Sequence, residues 1–266
     1  SSSWQVDRGS LVYLRPFYRA VLSGVSFERK PIDSNCRQYF VFPDGKLASQ
    51  GYYADDQESV PATDIQQDVP VINIIPLRNV LTKHDQPCGP EGTRTIAQRL
   101  IEADSQPNVV GHIIIIESPG GQSTAVAEMS DAIAQCTKPV ISWVDGMAAS
   151  AAYYIASYTS RIFASRDSDW IGSIGTMVTY EGRRSKSEAN SMGEVSVTVY
   201  ADDCDEKNEE YETAINDFNF KLVKENILNP INNEFKANVT ANRPAIPKEL
   251  LRGKCYFAKN VVATMV

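Results

Sequence analysis

Four consecutive isoleucines, Ile113 to Ile116, constrain the fold of this 266-residue chain more than any other feature of its sequence. A strand with one face in water alternates apolar and polar side chains, and this run contains no polar residue. Such a run is typical of a strand that is covered on both faces, as in a parallel sheet lying between helices. We therefore predict a buried parallel strand over residues 109–116, which Glu117–Gly121 ends sharply.

Strand and helix patterns alternate along the chain on both sides of this run. Further strands are predicted at residues 69–77, 139–144, 161–164 and 195–200, with a glycine-containing turn and strand at 171–180. Helices are predicted at residues 93–103, 123–136, 148–157, 182–192 and 209–236, with a break or kink at Pro230 in the last. Short turns between alternating strands and helices indicate an α/β fold.

The first 67 residues form an N-terminal extension, and residues 68–266 form the main domain. Within the extension, Phe40–Leu47 has the pattern strand, turn, strand, with Pro-Asp-Gly as the turn. We expect this β-hairpin either to serve in oligomer contacts or to cap the core.

Composition is that of a globular protein, with 42% hydrophobic and 22% charged residues. The net charge of −7 and the pI near 5.0 disfavour a general surface for nucleic acid or anionic membrane. No apolar run reaches the roughly 20 residues of a membrane span, and Ser1–Gln5 lacks the features of a signal peptide. We therefore expect a cytoplasmic protein without nucleic acid or a transmembrane segment.

The five cysteines, at positions 36, 88, 136, 204 and 255, are widely spaced. Their spacing matches neither a zinc motif nor a CxxC redox motif. We interpret them as free thiols in a reducing compartment and predict no metal site.

Two small-residue segments are candidates for chemistry. Ser118–Gly121 follows the buried strand and precedes a helix, so its main-chain N–H groups are available to hold an anion or a developing oxyanion. Ser150 lies in Asp145–Tyr154, where a strand gives way to an alanine-rich helix, and active sites of α/β proteins collect at the carboxyl ends of strands. Taken singly, each segment is also compatible with ordinary packing.

With both segments in this order, the chain resembles the signal peptide peptidase A family of serine peptidases, peptidase family S49, which includes head-maturation proteases of tailed phages. The residues that carry the resemblance are Ile116–Gly121, Ala148–Ala156 and Ile171–Gly175, and it extends over residues 68–257. It implies a crotonase/Clp-protease-like spiral of ββα units.

The resemblance also implies the roles of individual residues. Ser150 matches the nucleophile, Gly120 and Gly121 match the oxyanion loop, and Ser173 matches a serine that orients the base. The base in this family is a lysine. The resemblance further implies a peptide or protein substrate, no cofactor, and a homo-oligomeric ring.

The lysine loop departs from the family pattern. The glycine of that loop is missing, and Lys207 is the only lysine in the loop after the strand at 195–200, within an acidic stretch. We assign Lys207 as the base, with Lys186 and Lys221 as the reserve candidates. A lysine acts as a base only when neutral, which requires burial, whereas nearby carboxylates favour its charged form.

Three alternatives remain open at this point. The only histidines are His84 and His112; His112 is expected to pack in the fold, and a triad of Ser150 with His84 and Asp85 is conceivable. A crotonase-type acyl-CoA enzyme would use the same glycine loop but needs no serine nucleophile. A catalytically inactive scaffold or assembly protein would account for the irregular lysine loop.

Overall fold

The computed structural model describes residues 38–43, 47–50, 60–61, 69–86, 90–179, 206 and 208–266. No helix within these residues has the length and apolar character needed to span a lipid bilayer. The chain divides into two compact units, Ser1–Ile174 with Asn238–Val266, and Gly175–Ala237.

The strands within the described residues form one sheet in the first unit. They are β1 (Gln38–Val41), β2 (Leu47–Gln50), β3 (Val60–Pro61), β4 (Val71–Leu81), β5 (Val109–Gly121), β6 (Val140–Ala149), β7 (Arg161–Ala164), β8 (Trp170–Gly172) and β9 (Cys255–Phe257). Their order is β3-β2-β1-β4-β5-β6-β8-β9, and β7 pairs with β6. The helices are α1 (Thr93–Asp104), α2 (Ala127–Gln135), α3 (Ala151–Ser157), α4 (Glu209–Asn216) and α5 (Asn229–Asn242).

The centre of the sheet is parallel, as the isoleucine run predicted. Strand β5 pairs in parallel with β4 on one side and with β6 on the other. Ile113 to Ile116 are all buried. Because successive side chains of a strand point to opposite faces, this burial requires both faces of β5 to be covered.

The two faces of β5 contact different partners. Ile113 and Ile115 belong to an apolar cluster with side chains of the neighbouring strands, among them Ile74, Ile141 and Trp143. Helix α3 packs against β5 and β6, and α1 packs against α2. The prediction of an α/β protein with a buried parallel core is thus confirmed.

Two strands run further than the sequence predicted, because tertiary pairing recruits residues that favour turns. Strand β5 does not end sharply at Glu117, since Gly120 and Gly121 still pair with Val80 and Leu81 of β4. Strand β6 extends to Ala149, because Ala148 and Ala149 pair with β8. Helix α3 therefore begins at Ala151 rather than at the predicted residue 148.

The predicted helix over residues 209–236 is divided. Helix α4 ends at Asn216, and a second helical stretch contains a π-helical segment, Val223–Leu228, before α5 begins. Pro230 lies in the first turn of α5 and has no N–H to donate to the preceding turn, which accounts for the irregularity expected there. Within this second unit, Asn226 Nδ2 donates to Glu210 Oε1 at 3.0 Å.

Three further predictions concern the N-terminal hairpin, the elements at 182–200 and the domain boundary. The hairpin at 40–47 is present as β1 and β2, which pair antiparallel. The predicted helix at 182–192 and strand at 195–200 lie outside the described residues. The boundary at residues 67/68 stays a prediction.

Candidate active site

Ser150 lies between the last residue of β6 and the first residue of α3, at the carboxyl end of a parallel strand. Its N–H donates to the Gly172 carbonyl at 2.8 Å, and its carbonyl accepts the Tyr154 N–H at 2.9 Å. Its φ of 53° and ψ of −124° are unusual for a residue with a β-carbon, so the surrounding structure must hold the backbone in place. The hydroxyl makes no capping hydrogen bond to α3 and is therefore available for chemistry.

Helix α3 anchors Ser150 because the helix is buried along its whole length. Tyr153 is fully buried, and its hydroxyl donates to the Met265 carbonyl at 3.1 Å. Burial raises the pKa of the Tyr153 hydroxyl well above its ordinary value, so this group remains a neutral donor. The C-terminal segment thus fixes the helix on which the serine is mounted.

Gly120 lies directly against Ser150, although 30 positions separate them in the sequence. A β-carbon on Gly120 would lie 2.7 Å from the Ser150 Cβ and 2.7 Å from the Ala149 carbonyl oxygen, closer than atoms can pack. Its φ of +97° also favours glycine. The structure therefore brings together the glycine loop and the serine that the sequence identified separately.

Gly121 contacts a different part of the structure. A β-carbon on Gly121 would overlap the main chain of Leu81, its partner in the β4–β5 ladder. The close approach of two strands, rather than of Ser150, thus requires glycine at this position.

The main-chain amides near Ser150 include one that sequence reasoning missed. The Gly120 N–H donates to Ser118 Oγ at 3.1 Å, and that hydroxyl donates to the Asn79 carbonyl at 2.6 Å. The Ala151 N–H is the first of α3, where amides have no acceptor within the helix, and it lies beside Gly120. The sequence signal that could have identified the Ala151 amide is its position directly after a serine at a strand-to-helix junction.

Ser173 lies on the same edge of the sheet as Ser150. It follows Gly172, the residue that accepts the Ser150 N–H, and its own N–H donates to the Lys254 carbonyl at 3.0 Å. Its side chain hydrogen-bonds the thiol of Cys255. Burial raises the pKa of that thiol, and the hydrogen bond from Ser173 opposes the rise.

Lys207 and Lys186 lie outside the described residues, and Lys221 is an exposed side chain of the second unit. The choice among these lysines stays a prediction.

Neither histidine forms the charge-relay pair that the alternative mechanism needs. Asp85 accepts hydrogen bonds from the Gly92 N–H at 2.7 Å and the Thr95 hydroxyl at 3.1 Å, which makes it a cap for α1 rather than a partner of the His84 ring. His112 is buried in the fold, as expected, and pairs with Val140 at the start of β6. Ser150 follows the other end of that strand, so the two side chains lie at opposite ends of the sheet.

Two protein-family models match parts of the chain. The model of peptidase family S49 matches residues 132–259, and the Clp protease model matches residues 82–164. Both matches include Ser150. The match to the Clp protease model shows that the sheet and its helices have the crotonase/Clp-protease fold.

The chain is also similar to a protein of known structure. The structure is that of a serine-to-alanine mutant of the 1510-N membrane-bound stomatin-specific protease, which is 25% identical and has a TM-score of 0.35. The match covers 42% of this chain and 51% of that one, so it spans about half the length of the solved structure. No curated protein sequence matches the chain.

Proposed function

Because residues 132–259 match the model of peptidase family S49, we propose that this chain is a serine endopeptidase of that family, which cleaves peptide bonds by acyl transfer through Ser150. The observation that supports the proposal most strongly is the contact between Gly120 and Ser150. It sets a serine with an uncapped hydroxyl in a strained backbone conformation directly beside main-chain amides. That combination is what attack on a carbonyl group requires.

The first half of the reaction forms an acyl-enzyme. Ser150 Oγ attacks the carbonyl carbon of the scissile peptide while its proton passes to the neutral Nζ of Lys207. The C–N bond then breaks, and Lys207 returns the proton to the departing amine. In the second half, water attacks the ester carbonyl and gives its proton to Lys207, which passes that proton to Ser150 Oγ as the ester C–O bond breaks and the acid product leaves.

The developing oxyanion needs donors that face the serine. Gly120 and Gly121 are the donors that the family pattern assigns, and we add the Ala151 N–H on the basis of its position beside Gly120. For Gly120 to contribute, its N–H must exchange Ser118 Oγ for the substrate oxygen. The loss of one such donor costs about 3–4 kcal/mol of transition-state stabilisation in comparable sites.

The substrate is proposed to be an extended peptide that lies beside a strand edge. The residues around Ser150 are small, including Ala148, Ala149 and Ala152, which favours small or apolar side chains near the cleaved bond. Capsid-maturation and signal-peptide substrates both meet that description.

A ring of identical subunits is the proposed assembly, with the lysine supplied by the same or a neighbouring subunit. The second unit supports this proposal, because Met177 and Phe218 expose 83% and 69% of their surface. Light scattering of the purified chain measures the assembly directly, and a monomer at concentrations where cleavage occurs contradicts it.

Substitution of the nucleophile is the central test. Ser150→Ala is expected to lower kcat/KM for a casein-derived peptide by at least about 10³-fold and to abolish labelling by a fluorophosphonate. Ser157→Ala, in the same helix, is the matched control, because its hydroxyl donates to the Tyr154 carbonyl and takes no part in the chemistry. If Ser150→Ala cleaves as fast as wild type, Ser150 is not the nucleophile.

Three lysine variants identify the base. Lys207→Ala is expected to lose activity to a similar extent as Ser150→Ala, whereas Lys186→Ala and Lys221→Ala keep it. Activity lost in one of the reserve variants instead moves the base to that residue. A wild type that is as silent as Ser150→Ala, with no fluorophosphonate labelling, supports the inactive scaffold.

A further inference from the structure

Three side chains with metal-ligating atoms meet at the end of the sheet opposite Ser150. They are Asp104 at the end of α1, His112 near the start of β5, and Cys136 just after α2. The carboxylate oxygen, ring nitrogen and sulfur atoms all lie within 4.8 Å of one another. The peptidase mechanism uses none of them.

Two of the three side chains, Asp104 and His112, are held in place by hydrogen bonds before any ligand arrives. Asp104 Oδ2 accepts hydrogen bonds from the Thr137 N–H and hydroxyl, both at 2.9 Å. His112 is fully buried, with Nε2 3.0 Å from Asp104 Oδ1 and Nδ1 2.9 Å from the Asn73 amide nitrogen. Cys136 is a half-buried free thiol.

The Asp104 carboxylate gives the cluster one negative charge. Burial opposes ionisation of Asp104, but hydrogen bonds from Thr137, His112 and Lys138 outweigh it and lower the pKa of Asp104 to about 2. The ammonium group of Lys138 donates to the main-chain carbonyls of Asp104 and Gln106. Its positive charge lowers the pKa of His112 and opposes the rise in the pKa of Cys136.

A groove lies on the surface near these residues in the chain. It has a volume of about 450 Å³ and lies between α1 and α2. Its lining contains three acidic side chains, Glu102, Glu128 and Asp131, and one basic one, Arg94. Two lining residues, Glu102 and Gln135, are close in the chain to Asp104 and Cys136, and both of these ligand candidates are partly exposed, whereas His112 is buried.

We propose that Asp104, His112 and Cys136 bind a borderline-soft divalent cation such as Zn²⁺, with a water molecule as the fourth ligand. Imidazole, thiolate and carboxylate are the ligands that Zn²⁺ takes in proteins, and three protein ligands plus water form a tetrahedral site. Ligand atoms of such a site lie about 3.3 Å apart. The Nε2–Oδ1 distance of 3.0 Å already approaches this value, so most of the adjustment falls on the Cys136 side chain.

Binding has a defined proton balance. The metal replaces the proton of the Cys136 thiol, which leaves to solvent. The metal also takes the His112 Nε2 lone pair, so the neutral ring carries its proton on Nδ1 and donates it to the Asn73 side-chain oxygen. That step requires the amides of Asn73 and Gln38, which already hydrogen-bond each other, to turn over together.

The consequence of binding is a link between three separate segments. The end of α1, the start of β5 and the connection from α2 to β6 would share one metal ion. A ligand that binds the folded state alone stabilises it by mass action. At 100 times its Kd, Zn²⁺ is expected to raise the Tm by about 5 °C.

Cadmium titration of the full chain tests the proposal. Wild type is expected to bind one Cd²⁺ at this site with the ultraviolet charge-transfer absorption of a Cd–thiolate bond, which Zn²⁺ removes by competition. Cys136→Ser is expected to lose that absorption and to bind Zn²⁺ at least tenfold more weakly in calorimetry. Cys255→Ser is the matched control and keeps both, since Cys255 is the other half-buried free thiol of the described chain.

The outcomes separate cleanly. Equal cadmium absorption and equal zinc affinity in Cys136→Ser and wild type overturn the proposal, as does a wild type that binds neither ion. Circular dichroism checks that Cys136→Ser is folded, and Asp104→Asn, which removes a different ligand, must weaken zinc binding in the same direction. None of these measurements depends on whether the protein cleaves peptides.

Discussion

The two ends of the parallel sheet differ in the kind of polar group that they present and in how those groups are hydrogen-bonded. At the carboxyl edge, which comprises Gly120, Ala149–Ala151 and Gly172–Ser173, main-chain groups predominate, and Gly120, Ser150, Gly172 and Ser173 all have positive φ. At the amino edge, which comprises Asn73, Asp104, His112 and Thr137, side chains hydrogen-bond one another in a continuous network.

This difference shows how one fold divides stability from function. The amino edge satisfies its buried polar groups with defined partners, which is the arrangement that stabilises a fold. The carboxyl edge holds a hydroxyl and an amide next to each other in strained backbone, which is the arrangement that prepares a reaction. Substitutions at the carboxyl edge should therefore reduce activity by more than their effect on stability accounts for. Substitutions at the amino edge should reduce stability with little effect on activity.

The largest effect is expected from a methyl group at Gly120. Gly120→Ala places a β-carbon against Ser150 and Ala149, so we expect more than about 3 kcal/mol of destabilisation and at least a 10²-fold loss of kcat. Gly146→Ala is a close control, because Gly146 has the same φ of +97° but no atom within 4 Å of its β-carbon position. It should cost about 1–2 kcal/mol and leave kcat within threefold. Similar losses in both variants would show that backbone strain alone, without the contact to Ser150, governs the site.

At the amino edge, Asp104→Asn is expected to lower the free energy of unfolding by about 2 kcal/mol without reducing kcat, because it removes charge-assisted hydrogen bonds. The folded-state pKa of about 2 lies below the ordinary value of 3.8. The stabilisation is therefore complete above about pH 4 and is lost as the pH falls towards 2. Urea unfolding at several pH values, with a chelator present, measures this, and exposed Asp131→Asn should stay within about 0.5 kcal/mol of wild type. A large loss of kcat in Asp104→Asn would mean that the two edges are coupled.

An intermediate effect at the carboxyl edge is expected from Ser173. If its hydroxyl orients the base, Ser173→Ala lowers kcat about tenfold and shifts the pH profile of kcat, with little change in KM. Cys255→Ala removes the hydrogen-bond partner of that hydroxyl and should lower kcat by less. An unchanged pH profile in Ser173→Ala would restrict Ser173 to a structural role.

The smallest effect on the free energy of unfolding, and the only one that increases it, is expected at Ser150 itself. Ser150→Gly relieves the positive φ and should raise the free energy of unfolding by about 1 kcal/mol while it abolishes fluorophosphonate labelling. Ser150→Ala retains a β-carbon and should not gain this stability. If Ser150→Gly is less stable than Ser150→Ala, the backbone at Ser150 is not strained, and the contrast between the two edges weakens.

The sequence alone determined the core and the location of the serine. Four adjacent isoleucines are typical of a strand covered on both faces, so Ile113–Ile116 predicted a parallel central strand, and all four are buried. The alternation of apolar runs and small-residue turns placed Ser150 after a strand and within the start of a helix, and the structure has it directly before the first residue of that helix. Patterns of this kind are local, because they depend on the periodicity of one element.

Only the tertiary structure decided which distant residues meet. The register between β5 and β6, and the bulge within it, bring Gly120 against Ser150 and leave the Ala151 amide beside both. The same packing gathers Asp104, His112 and Cys136 from three elements, with spacings that match no ligand motif. Strand register and helix placement follow from the packing of the whole core, and the periodicity of a single segment carries no information about them.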